Sequence, residues 1–104
     1  MIGNYEVVTL CGSTKFKEDF IKVQKELTLQ GKIVISIGLI GHSGDNEVWD
    51  ENKKEMLDDM HKRKIDMADF IFVINKDNYI GESTRLEIEC AENTGKTVYY
   101  LETP

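Results

Sequence analysis

The sequence predicts a small open α/β domain, Rossmann-like or flavodoxin-like, with about four parallel strands in the order 2-1-3-4 and helices on both faces. Three observations predict it. Short runs rich in β-branched and apolar residues, at 5–11, 32–37, 70–74 and 97–101, alternate with longer stretches whose apolar residues return every three or four positions. Glycines punctuate the junctions at Gly12, Gly31, Gly81 and Gly95. A βαβαβαβ order requires crossover helices, hence parallel strands and right-handed connections.

The first run, Tyr5 to Cys11, reads as a central strand closed by Gly12, Ser13 and Thr14. Ser13 is placed to cap a first helix in which Phe16, Phe20, Val23 and Leu27 recur at helical spacing. Gly31 stands where a helix C-terminus places its left-handed residue. The second strand, 32–37, leads into a glycine-bearing loop at 38–46 that carries His42 and Asp45. A second helix is expected from 48–50 to about 67, with Trp49, Met56, Met60 and Ile65 as a rough apolar stripe. Its other side sets Lys53, Lys54, Lys62 and Arg63 against Glu51, Glu55 and Asp59, several of them at pairing distance along a helix. His61 in this helix reads as a surface or partly buried histidine. Asp69 opens the third strand, 70–74, as a turn residue. A third helix is expected from Ser83 or Thr84 to about Thr94, and the last strand at 97–101.

The 104 residues are read as one domain, 1–104. The formal charge of −6 argues against a nucleic-acid polymer as partner, because phosphate-backbone binding needs clustered Lys and Arg. No apolar run reaches membrane-spanning length, so no membrane partner is expected. Cys11 and Cys90 have neither metal nor redox spacing and read as reduced thiols of a cytoplasmic protein. His42 and Asp45 alone are too few for a metal, so neither metal nor cofactor is expected.

In a 2-1-3-4 sheet the ends of strands one and three form the switch point, where open α/β proteins place ligands. Two loops converge there: Gly12-Ser13-Thr14-Lys15 and Gly81-Glu82-Ser83-Thr84-Arg85. Free N–H groups, hydroxyls and the cations Lys15 and Arg85 suit a phosphate or sugar oxygens, although a tight turn and a simple cap would use the same residues. Tyr79 is the candidate for stacking on a base. Glu87, one turn into the third helix, is the candidate nucleophile for an electron-poor sugar carbon. Thr84-x-x-Glu87 equally spells a capping box, in which Glu87 binds only its own helix end. Asp77, just past the third strand, is the candidate second carboxyl, with an ordinary loop acid as the plain alternative.

Taken in order, Val8-Thr-Leu-Cys-Gly-Ser13, Ala68-Asp-Phe-Ile-Phe-Val73 and Arg85-Leu-Glu-Ile-Glu-Cys-Ala91 resemble the nucleoside 2-deoxyribosyltransferase superfamily. The size and the Cys-Gly-Ser loop are most similar to its small 2′-deoxynucleoside 5′-phosphate N-hydrolase branch. The resemblance implies N-glycosidic bond cleavage or transfer on a nucleoside or nucleoside 5′-phosphate. Its position for the nucleophile is Glu87, which would form a covalent ester with C1′ before water or a second base takes the sugar. It also implies that Gly12, Ser13 and Ser83 hold a 5′-phosphate, and that the chain is a homodimer with helices two and three near the axis. The first-strand tyrosine of the transferases falls near Thr9 here, and the family's Glu-Leu-Gly-Tyr/Arg-Ala is Glu87-Ile-Glu-Cys-Ala91. The alternative is a nucleotide or nucleotide-sugar sensor on the same fold, without turnover.

Overall fold

A computed structural model describes residues 3–36 and 51–103. In chain order the elements are β1 (Val7–Gly12), α1 (Lys17–Leu29), β2 (Ile33–Ile35), α2 (Glu51–Met67), β3 (Phe70–Ile74), α3 (Glu82–Asn93) and β4 (Thr97–Tyr100). The four strands form one sheet in the order β2-β1-β3-β4, all parallel, as the sequence predicts. The expected loop at 38–46 with His42 and Asp45, Ile37, and the start of the second helix with Trp49 lie outside the described residues.

The sheet separates two apolar layers because successive strand side chains point to opposite faces. Val8 and Leu10 of β1, with Phe70 and Ile74 of β3, pack against Phe20, Val23 and Leu27 of α1. Cys11 of β1, with Ile71 and Val73 of β3, packs against Ile65 of α2 and Ile88 and Ala91 of α3. Leu10, Phe20, Ile65, Ile71 and Val73 are fully buried. Each contributes about 1.5–3 kcal/mol by leaving water. The one-residue register, with Leu10 opposite Phe72 and Cys11 opposite Val73, keeps the two layers distinct.

Helix ends follow the glycines more closely than the hydroxyls. At the end of α1, Gly31 takes φ 88°, its N–H reaches the Thr28 carbonyl at 3.0 Å, and the Lys32 N–H reaches Leu27 at 3.0 Å. That pair of bonds is a Schellman motif. Gly95 and Lys96 repeat it at the end of α3, on Glu92 and Ala91. Ser13 does not cap α1: it accepts the Lys15 N–H and caps a 3₁₀ turn, Thr14–Phe16, inserted before the helix. The third helix also starts earlier than expected. Gly81 is its N-cap, and its carbonyl takes the Arg85 N–H at 3.0 Å, which leaves Thr84 inside the first turn and buried.

Four polar contacts fix the layers. Asp69 and Val7 exchange bonds of 2.7 Å each, so Asp69 tethers β1 to the start of β3 rather than making only a turn. The Thr9 hydroxyl donates to the Lys64 carbonyl at 2.7 Å and docks α2 on β1. Lys96 Nζ reaches the Ala68 carbonyl at 2.7 Å. Buried Asn75 bonds both the N–H and the carbonyl of Glu102 at 2.9 Å, which pins the end of the chain to the end of β3. Among the described residues no helix is long and apolar enough to cross a membrane.

Candidate active site

Because α3 begins at Glu82, Glu87 stands in its second turn, clear of the helix end, and the cap at Gly81 uses no side chain. The capping box written in the sequence is therefore not made. Glu87 instead turns toward α2, with its Oε1 3.5 Å from His61 Nε2; their side chains are 22% and 11% exposed. The Cys11 thiol, at the end of β1 and fully buried, approaches the same Nε2 at 3.5 Å. Three elements thus bring one thiol, one imidazole and one carboxylate together, their ligand atoms all within 4.8 Å of one another.

Burial pushes the Cys11 thiol well above its ordinary pKa, and the Glu87 carboxylate raises it further by charge and by hydrogen bonding. Cys11 is therefore a neutral thiol at neutral pH. This is not the relay of a cysteine hydrolase, in which thiol and carboxylate engage opposite nitrogens of the histidine. Here both converge on one nitrogen.

Glu87 borders two clefts. One, of about 460 Å³, runs between α2 and α3 and is lined by Asp58, Lys62, Ser83, Leu86, Cys90 and their neighbours. The other, of about 170 Å³, lies at the C-terminal end of β1 between Gly12, Thr14, Asp58, His61 and Lys64. Asp58 borders both clefts as well.

The first glycine loop reaches Tyr79, two residues before the second loop begins. Lys15 Nζ lies 3.4 Å from the centre of the Tyr79 ring, and Phe16 packs edge-on to Tyr79 at 5.9 Å. Gly12 and Thr14 line the smaller cleft and Ser83 the larger. Ser13 is occupied by the turn it caps, and Gly81 by its helix. Arg85 is on the exposed side of α3, 3.8 Å from Glu82 and 3.1 Å from Glu89. Asp77 lies in a 3₁₀ turn, Lys76–Asn78, exposed, with its N–H on Glu102 Oε2 at 2.8 Å. It borders neither cleft that Glu87 faces.

Cys11, Asp58 and His61 are the residues that sequence reasoning did not bring to the site. The signal for Asp58 and His61 is the helical spacing of Leu57, Asp58, His61 and Lys64, which places all four on one side of α2. The many charges around them hid that stripe. No family model matches the chain, and no curated protein matches it significantly.

Proposed function

We propose that this domain cleaves or transfers the N-glycosidic bond of a nucleoside or nucleoside 5′-phosphate, with Glu87 as nucleophile. The observation that carries the proposal is that the Glu87 carboxylate is not spent on its own helix end but borders two clefts, the smaller of them at the C-terminal end of β1. A Glu87 oxygen attacks C1′ as the C1′–N bond breaks, and the base departs with the bonding pair and takes up a proton. The resulting glycosyl ester is then opened by water or by a second base. Asp58, which shares both clefts with Glu87, is better placed than Asp77 to supply that proton. Gly12 and Thr14 at the smaller cleft and Ser83 at the larger are the proposed contacts for phosphate and sugar oxygens, whereas Ser13, Lys15, Gly81, Glu82 and Arg85 line neither cleft. The chemistry needs no cofactor, because a carboxylate meets the charge that develops on C1′.

Two coarser features extend the proposal. Met56, Met60 and Leu86 leave apolar surface exposed on α2 and α3, which suits a homodimer through those helices; sedimentation equilibrium tests it. Cys11 and Cys90 are free thiols, in keeping with a reducing cytoplasm.

Incubation with purine and pyrimidine nucleosides and their 5′-phosphates, followed by chromatography for free base, tests the reaction. Base release by the wild type and none by Glu87→Gln supports it. Nucleotide binding without base release supports the second reading, a sensor. One observation favours that reading: Thr9, where the resemblance places a tyrosine beside the nucleophile, is buried and committed to the Lys64 carbonyl.

A further inference from the structure

We infer that Cys11, His61 and Glu87 form a binding site for a divalent transition metal, zinc above all. The donor set is one thiolate sulfur, one imidazole nitrogen and one carboxylate oxygen, the mixture that borderline-soft zinc takes. The spacing agrees. Tetrahedral bonds of about 2.3 Å to sulfur and about 2.0–2.1 Å to nitrogen and oxygen separate neighbouring ligand atoms by roughly 3.3–3.6 Å. The Sγ–Nε2 and Nε2–Oε1 separations are both 3.5 Å, and Sγ and Oε1 lie within 4.8 Å of each other, a gap that metal binding would close.

Hydrogen bonding explains the cluster less well. The Cys11 thiol can donate to Glu87, but an N···O distance of 3.5 Å is beyond an ordinary N–H···O bond, so the imidazole is left with no short bond to the carboxylate. A cation at the centre of the triangle satisfies all three atoms, with the thiol proton released to solvent on binding. His61 and Glu87 line the 170 Å³ cleft, which gives the metal an entry path and leaves a fourth position facing that cleft. The positions of the ligands, on β1, α2 and α3, explain why no Cys/His spacing in the sequence shows the site.

The site stands without the glycosidic reading. Where that reading also holds, the metal withdraws Glu87 from C1′, and zinc inhibits the reaction reversibly.

Cobalt titrated into the reduced full chain tests the inference. The expected result is a near-ultraviolet thiolate-to-cobalt charge-transfer band that saturates at one equivalent, with four-coordinate visible bands. Cys11→Ser abolishes the band and Cys90→Ser leaves it. His61→Ala weakens binding by at least the factor of about 10–100 that outer-shell partners are worth. No band, a band that survives Cys11→Ser, or one lost with Cys90→Ser overturns the inference. If Cys11→Ser does not fold, unchanged cobalt affinity in folded His61→Ala overturns it equally. A cobalt band, together with no base release from any nucleoside or nucleotide by the metal-free protein, supports the metal site and sinks the glycosidic reading. Base release without a cobalt band sinks the metal site alone.

Discussion

Gly12→Ala should be among the most damaging single-methyl changes in this chain. Gly12 ends β1 opposite Ile74, with φ 148°, a conformation that L side chains rarely adopt. A Cβ there would lie 2.8 Å from the Ile74 carbonyl oxygen, 3.2 Å from Ile74 Cβ and 3.3 Å from Phe20 Cζ. The first contact is with backbone of the neighbouring strand, which cannot move without shifting the ladder. The others are with two fully buried side chains. Overpacking of this kind costs about 1–3 kcal/mol, and an unfavourable backbone region a further 1–3 kcal/mol or so. The sum, about 2–6 kcal/mol, is a large part of the roughly 5–15 kcal/mol that holds such a domain folded. Urea unfolding followed by circular dichroism should show the midpoint falling with little change in slope. A loss smaller than about 0.5 kcal/mol would mean that β1 and β3 do not approach as described.

Other outcomes follow from the same contacts. Glu87→Gln should leave amide exchange at the start of α3 unchanged, because Glu87 caps nothing; a faster-exchanging Thr84 N–H would restore the capping box. Asn75→Ala should cost about 2–4 kcal/mol, since it strips partners from the N–H and carbonyl of Glu102 and leaves a hole in a buried position; an unchanged urea midpoint would contradict the clamp. The raised Cys11 pKa sets a pH dependence. The unfolded thiol ionises near about pH 8.5 while the folded one stays neutral, so its contribution is complete below that pH and declines as pH rises above it. Cys11→Ala should flatten the alkaline limb of the stability profile relative to the wild type, and an identical limb would show that Cys11 titrates alike in both states.

The strand order was legible because each piece of it is local: β-branched runs, helical periodicity, and glycines that end α1 and α3 in Schellman bonds. What misled was also local. Ser13 has the chemistry of a cap and does cap, but for a 3₁₀ turn, because the chain makes that turn before α1 begins. Thr84-x-x-Glu87 has the spacing of a capping box, yet Gly81 carries the helix back past it. Thr84 is then buried within the first turn, and Glu87 is released toward α2. Spacing alone cannot choose between those starts, because both place Thr84 and Glu87 on the same helix. The Cys11–His61–Glu87 triangle was not legible at all. Its members come from three elements, and the register that joins them is set by Thr9 on the Lys64 carbonyl and by β1 beside β3.

Whether Glu87 attacks C1′ is tested most directly by intact-protein mass spectrometry after brief mixing with nucleosides and nucleoside 5′-phosphates. The wild type should gain the mass of a sugar or sugar phosphate, and Glu87→Gln should gain nothing. No adduct on wild-type protein that releases free base, or an equal adduct on Glu87→Gln, would remove Glu87 from the chemistry.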